Sequence, residues 1–222
     1  MNYKGVMFDL DGTLIDTITD LATSANSVMA QHGFPVHPVA SYKQFVGDGI
    51  AMLTRRALPE NMRNETTVRS CTAAVLEEYT QHSKDATIAY DGIHDLLKGL
   101  MLEGYSLAVL SNKPDVLTKE LIQYYFPCVR FAGVFGARDN VPRKPDPAAA
   151  LEILAALGIK PEECMYLGDS KTDMQTAVAA GMYPVGALWG FRDAQELLQY
   201  GAQALIEHPI DLIGVMHSRA KA

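Results

Sequence analysis

Four aspartates stand in two short patterns, Asp9-x-Asp11-Gly12-Thr13 and Gly168-Asp169-Ser170-x-x-Asp173. A single aspartate in such a setting is an ordinary turn or helix-capping residue. Four of them, at the ends of two apolar runs, suggest a shared ion site. Two carboxylates about 4 Å apart repel by ~4 kcal/mol at an effective dielectric of about 20. A divalent cation with oxygen ligands removes that penalty, and carboxylates with carbonyls and water suit magnesium. An anion is then expected opposite the ion. Gly12 and Thr13, Ser111 and Asn112 offer hydroxyl, amide and loop N–H donors that suit phosphate oxygens. Lys144, in Arg-Lys-Pro-Asp-Pro, could supply a cation for the remaining phosphate oxygen.

For these residues to meet, distant loops must converge. Residues 4–9 form a short apolar run that ends in acid and glycine, as a buried strand opening into a loop would. Tyr105–Leu110 runs into Ser111-Asn112, and Cys164–Leu167 runs into Gly168-Asp169. Val134–Phe135, Tyr183–Leu188 and Ala204–Ile206 are weaker strand candidates. Between the runs, apolar residues recur at helical spacing: Leu96, Leu97, Leu100 and Met101; Leu151, Leu154 and Ala155; Met174, Ala177 and Val178. Asp146 with Pro147 suits a helix start, and Gly158 and Gly181 suit helix ends. This alternation predicts an α/β fold, a Rossmann-like, doubly wound, mostly parallel sheet covered on both faces. Such sheets bind ligands at the carboxyl ends of their strands, where neighbours lie within ~5–10 Å. The four acids are therefore expected in one pocket.

Residues 16–86 break the pattern. Ile18, Leu21, Ala22, Ala25 and Val28 make one helical stripe, and Val68, Cys71, Val75, Leu76 and Tyr79 another, with no convincing strand between. A small helical domain over 16–86 is thus expected as an insertion after the first strand, the core comprising 1–15 and 87–222.

The bulk numbers set the class of partner. The 222 residues are 48% apolar and 20% charged, an ordinary globular balance with a net charge of −7. That charge argues against a nucleic-acid surface, which needs a clustered basic face, yet leaves room for a small anion held by a few local cations. Cys71, Cys128 and Cys164 show no metal or disulfide spacing, and the six histidines form no ligand pattern. No stretch reaches the roughly 18 apolar residues of a membrane span, and the first residues lack the apolar run of a signal peptide. The expectation is a cytoplasmic protein with neither membrane nor nucleic acid as partner.

Asp9-Leu10-Asp11-Gly12-Thr13-Leu14, Ser111-Asn112, Lys144-Pro145 and Gly168-Asp169-Ser170-x-x-Asp173 resemble the four ordered motifs of the haloacid dehalogenase-like hydrolase superfamily. The resemblance spans nearly the whole chain. It implies that Asp9 is a nucleophile that becomes an aspartyl-phosphate, and that Asp11 is the general acid for the leaving alcohol and then the base for water. It implies a magnesium ion on Asp9, the backbone carbonyl of Asp11 and Asp169, with Asp173 in support, and a phosphoryl group held by Ser111 and Lys144. The dehalogenase branch lacks a second aspartate at the place of Asp11, so phosphoryl chemistry is implied. The helical insertion would be the superfamily's small cap, which selects the substrate and excludes water.

Finer details resemble the phosphoglycolate phosphatase group: Leu14-Ile15-Asp16-Thr17, Phe45-Val46-Gly47-Asp48-Gly49 with Arg55-Arg56, and Gly186-Ala187-Leu188-Trp189-Gly190-Phe191. They point to a small phosphorylated metabolite such as 2-phosphoglycolate, with Gly47, Gly49 and Arg55 as candidate substrate-selecting residues. Hydrolysis of pyrophosphate, a sugar phosphate or a nucleotide is the alternative on the same frame. A phosphomutase is disfavoured, because its relatives carry an acid where this chain has Gly168. A phospho-aspartate switch is a reading from another class; such receivers have neither a helical cap nor an equivalent of Asp11.

Overall fold

The computed structural model describes residues 3–220. The first strand, β1 (Gly5–Phe8), leads through the short β2 (Ile15–Asp16) into four helices, α1 (Ile18–Gln31), α2 (Val39–Phe45), α3 (Ile50–Ala57) and α4 (Glu65–His82). The chain returns through β3 (Ile88–Ala89), which pairs with β2 as a separate two-stranded sheet. Strict alternation follows: α5 (Ile93–Leu102), β4 (Ser106–Pro114), α6 (Asp115–Tyr125), β5 (Gly133–Ala137) and α7 (Ala148–Leu157). It continues through β6 (Cys164–Gly168), α8 (Lys171–Ala180), β7 (Tyr183–Ala187), α9 (Ala194–Gln199), β8 (Ala204–Ile206) and α10 (Asp211–Ala220). Two compact units result, residues 1–15 with 89–222, and residues 16–88. Among the described residues no helix is long and apolar enough to cross a membrane.

The larger unit is built on a six-stranded parallel sheet in the order β5-β4-β1-β6-β7-β8. β1 lies at its centre, with β4 on one side and β6 on the other, so the chain reverses its direction of winding there. That is the switch point where parallel sheets leave a crevice at their carboxyl ends. β1 is buried at every position because both faces are covered. Val6 and Phe8 join Leu107, Val109, Met165 and Leu167 in a core shared with Leu96, Leu97 and Leu100 of α5. Met7 points the other way, to Ala108, Leu110 and Tyr166 under Ala150 and Ile153 of α7 and Ala177 of α8.

Three local expectations are corrected. On α7 the inward face is Ala149, Ala150, Ile153 and Leu154, while Leu151 and Ala155 face solvent. The window Ala-Ala-Ala-Leu-Glu-Ile-Leu-Ala-Ala-Leu carries two apolar stripes, and the small alanines let the helix approach the sheet closely. On α8 Met174 and Ala177 are buried as expected, but Val178 is exposed and Ala180 is buried in its place. The second core strand does not stop at Leu110. β4 runs to Pro114, with a register shift against β5 between Leu110 and Pro114. Gly136 of β5 permits this, since a Cβ there would lie 2.6 Å from the Lys113 carbonyl oxygen.

The smaller unit is helical. Ile18, Leu21, Ala22, Ala25 and Val28 line the buried side of α1, and Cys71, Val75 and Tyr79 that of α4. Asp20, buried on α1, accepts hydrogen bonds from the Ala86 and Thr87 amides (2.9 and 2.8 Å) and the Thr87 hydroxyl (2.7 Å). It thereby ties the start of the unit to its exit.

Candidate active site

Asp9 follows the last residue of β1, and its amide donates to the Leu167 carbonyl (2.9 Å), which extends the pairing with β6 by one step. Asp169 follows β6 directly, and Asp173 lies in the first turn of α8. The three carboxylates are buried, with ligand oxygens that all lie within 4.8 Å of one another. α8 opens with a capping box: Ser170 is its cap, and Asp173 Oδ2 accepts from the Ser170 amide (3.0 Å) and hydroxyl (2.6 Å). Gly168 is required by this turn, because a Cβ there would overlap the Asp173 side chain. The absence of an acid at this position therefore has a local steric cause.

Lys144 faces this group. Its side chain is 2% exposed, and Nζ stands 2.8 Å from Asp9 Oδ1, 2.6 Å from Asp173 Oδ1 and 3.0 Å from Tyr166 Oη. Asn112 fixes the backbone at this point. Its Oδ1 accepts the Lys144 amide (2.9 Å) and its Nδ2 donates to the Lys144 carbonyl (3.0 Å). Both ends of the Asn112 side-chain amide thus hold Lys144 in place.

Burial and the Asp173 charge outweigh Lys144 and push the Asp9 carboxyl up from its ordinary 3.8 to about 7. Burial, then the charges of Asp173 and Asp9, raise Asp169 well above the carboxylate range. Burial alone would lower Lys144, but Asp173 and Asp9 overcome it and hold the ammonium well above its usual value. Even with the Arg192 charge acting on Asp169, Lys144 does not offset the three buried carboxylates, since Asp9 and Asp169 both stay raised. The donor set of hard, anionic oxygens fits a magnesium ion, which would complete the charge balance.

This imbalance sets a pH dependence. Between pH 3.8 and about 7 the folded protein holds a proton on Asp9 that the unfolded chain has released. Stability without metal therefore falls as pH rises through that window. A divalent cation competes with this proton for the site. Calorimetry is expected to show that added Mg2+ raises Tm by several degrees at pH 8 and by less than half as much at pH 5. Equal shifts at the two pH values would contradict this account.

The Asp11 carboxylate lies outside the group of three, though its charge still raises Asp9. Lys113 Nζ lies 2.5 Å from Asp11 Oδ1, and the lysine side chain is 4% exposed. Lys113, two residues after Ser111 on the extended β4, was not foreseen because the strand was expected to end before it. Gly12 has φ of 88° and its amide donates to Ile15 O (2.9 Å), while the Thr13 amide donates to Leu10 O (3.3 Å). The Thr13 hydroxyl donates to Asp169 Oδ1 (3.3 Å). Ser111 is buried, its Oγ accepting the Lys113 amide at 3.2 Å.

In the helical unit Gly47 and Gly49 have φ of 113° and 86°, conformations that favour glycine. Arg56 pairs with Asp48 between them and donates to Phe45 O at 2.8 Å. Arg55 donates to the Arg63 carbonyl (2.9 Å) within the same unit.

The model of the family "Haloacid dehalogenase-like hydrolase" matches residues 6–187. Phosphoglycolate phosphatase 1 of Pseudomonas aeruginosa is 31% identical over 211 residues, covering 94% of this chain and 78% of that protein. Phosphoglycolate phosphatase of Pseudomonas putida is 32% identical over 196 residues, covering 86% and 72%. A solved structure from Lactobacillus delbrueckii subsp. bulgaricus, provisionally assigned as a phosphoglycolate phosphatase, superposes with a TM-score of 0.92 at 31% identity, over 97% of this chain and 99% of that one.

Proposed function

Because this chain belongs to the haloacid dehalogenase-like hydrolases and is a phosphoric monoester hydrolase of the phosphoglycolate phosphatase-like group, we propose that it hydrolyses a small carboxylated phosphomonoester, 2-phosphoglycolate, through a phosphorylated Asp9. The observation that carries this reading is the buried group of Asp9, Asp169 and Asp173 around Lys144 at the switch point of the sheet. It supports the reading because the carboxylates that would serve as nucleophile and ion ligands lie within 4.8 Å of one another beside a fixed cation.

In the first step an Asp9 oxygen attacks phosphorus, and the bond from phosphorus to the leaving oxygen breaks. Asp11 gives its proton to that oxygen, which leaves as the alcohol. In the second step Asp11 takes a proton from water, whose oxygen attacks phosphorus and displaces the Asp9 carboxylate. Inorganic phosphate departs and both aspartates return to their starting forms. Ser111 and Lys144 hold the phosphoryl oxygens, and the Lys144 charge is fixed before reaction, which is how such sites stabilise developing charge. Asp9 and Asp169, with Asp173 and the Asp11 carbonyl, would hold magnesium. The bound ion would neutralise phosphoryl charge and keep the Asp9 carboxylate ionised at neutral pH. Substrate selection is assigned to the helical unit as a cap, with the Gly47–Gly49 turn and Arg55 as its candidate residues.

A panel of phosphomonoesters with Mg2+ tests the substrate. The kcat/KM for 2-phosphoglycolate is expected to exceed those for pyrophosphate and hexose phosphates by about 100-fold, a difference of ~2.7 kcal/mol in transition-state binding. If phosphoglycolate trails either by that factor, the substrate assignment is wrong, while the Asp9 chemistry is unaffected.

A further inference from the structure

Asp169 sits in a slot with two glycine walls. A Cβ on Gly12 would overlap the Asp169 carboxylate and approach the Phe191 ring to 2.7 Å. A Cβ on Gly190 would overlap the Asp169 side chain and come within 2.6 Å of the Gly12 carbonyl oxygen. Both carboxylate oxygens are oriented from these walls: the Thr13 hydroxyl donates to Oδ1 (3.3 Å) and the Phe191 amide to Oδ2 (2.8 Å). The walls come from opposite ends of the chain, the loop after β1 and the loop after β7. One side chain links them directly. Trp189 donates its indole Nε1–H to the Thr13 carbonyl at 3.0 Å, and it packs against the buried core cluster that includes Val6 and Phe8.

The geometry points to Trp189 as a positioning residue for the metal-binding carboxylate. Its hydrogen bond goes to the Thr13 backbone, so it would act on Asp169 through the two loops. It sets the distance between the Gly12-Thr13 wall and the Gly190-Phe191 wall, and so the direction in which Asp169 presents its oxygens. An indole suits the task because it has a rigid body to pack and a single donor to place. Phenylalanine would fill much of the same space but leave the Thr13 carbonyl without this donor, and the slot free to widen. Groups that orient a metal ligand from behind commonly change affinity for the ion by about 10–100-fold when removed.

This inference rests on the proposed ion site, and the experiment separates the two. Mn2+, with paramagnetic resonance reporting the free ion, is titrated into the 222-residue chain and its Trp189→Phe, Gly190→Ala and Asp169→Asn variants. Trp189→Phe is expected to weaken Mn2+ binding about 10-fold, with the Tm of the metal-free protein within a few degrees of the original. Gly190→Ala forces a methyl group against Asp169 itself and is expected to weaken binding at least as much. It also serves as the second probe if the indole substitution disturbs packing. If Trp189→Phe lowers Tm but binds Mn2+ within twofold of the original protein, Trp189 is structural only and the inference is overturned. If Asp169→Asn binds Mn2+ as the original protein does, the ion site itself is misplaced, and the inference fails with it.

Discussion

Asp9→Asn is expected to lower kcat for phosphomonoesters by about 10^4-fold or more, and also to stabilise the metal-free protein above pH 7. The first effect follows from chemistry, since an amide oxygen does not attack phosphorus to give the phosphorylated intermediate. The second follows from the charge balance at the end of β1. Asp9 is forced to ionise beside Asp173 in a buried site, and its carboxyl is pushed up to about 7. Each unit above the ordinary value corresponds to about 1.4 kcal/mol that the folded state loses when the group is charged. A neutral asparagine removes that loss, and Lys144 keeps Asp173 and Tyr166 as partners. The stability gain should therefore be a few kcal/mol at pH 8 and should shrink as the pH falls from 7 towards 4. Steady-state kinetics and calorimetry at pH 8 and 5 test both halves. Undiminished turnover in the asparagine variant would refute Asp9 as nucleophile.

A substitution that raises stability while removing activity is what a strained charge cluster predicts. Its strain was legible in the sequence only in part. Asp9, Asp169 and Asp173 could be placed together because each stands at or just after the end of an apolar run, and parallel strands bring such ends together. The partners of these acids were less visible. Lys144 read as a plausible cation, but nothing in its neighbours announced that Asn112, 32 positions earlier, would fix its backbone with both ends of one amide. Lys113 was obscured because β4 continues past the polar pair Ser111-Asn112, where the apolar run ends. Had β4 been extended to Pro114, the period of two would have put Ser111 and Lys113 on one face, and a buried lysine beside Asp11 would have followed.

Trp189 marks a different limit. Its indole reaches the carbonyl of Thr13, 176 positions away, and a backbone acceptor leaves no residue type by which to recognise it. The same holds for Phe191, whose contribution to Asp169 is an amide that any residue but proline would offer. Periodicity failed on α7 for a simpler reason. An alanine-rich helix can turn more than one face inward, and only the packing against Met7 and Tyr166 selects Ala150 and Ile153. Motif residues were legible because chemistry restricts their type, whereas supporting residues were obscured because packing restricts only their place.

Lys144→Met is expected to damage both stability and catalysis, the reverse of the asparagine substitution in its first effect. The ammonium lies within 2.8 Å of Asp9 and 2.6 Å of Asp173. Its removal leaves two buried carboxylates facing each other with no cation between them. Breaking a buried pair in this way typically costs about 3–5 kcal/mol, which for a chain of this size lowers Tm by roughly 10 °C. The penalty belongs to the charged carboxylates, so it should be largest at pH 8 and smaller at pH 5, where Asp9 is protonated. Mg2+ should restore much of the stability, because it supplies positive charge to the same oxygens. It should not restore turnover, since the ammonium proposed to balance the phosphoryl oxygens would still be missing; kcat should remain about 10^2–10^3-fold down. A methionine variant that melts with the original protein at pH 8 without metal would mean that the lysine does not balance these acids. Recovery of full turnover with Mg2+ would mean that it does not act on the phosphoryl group.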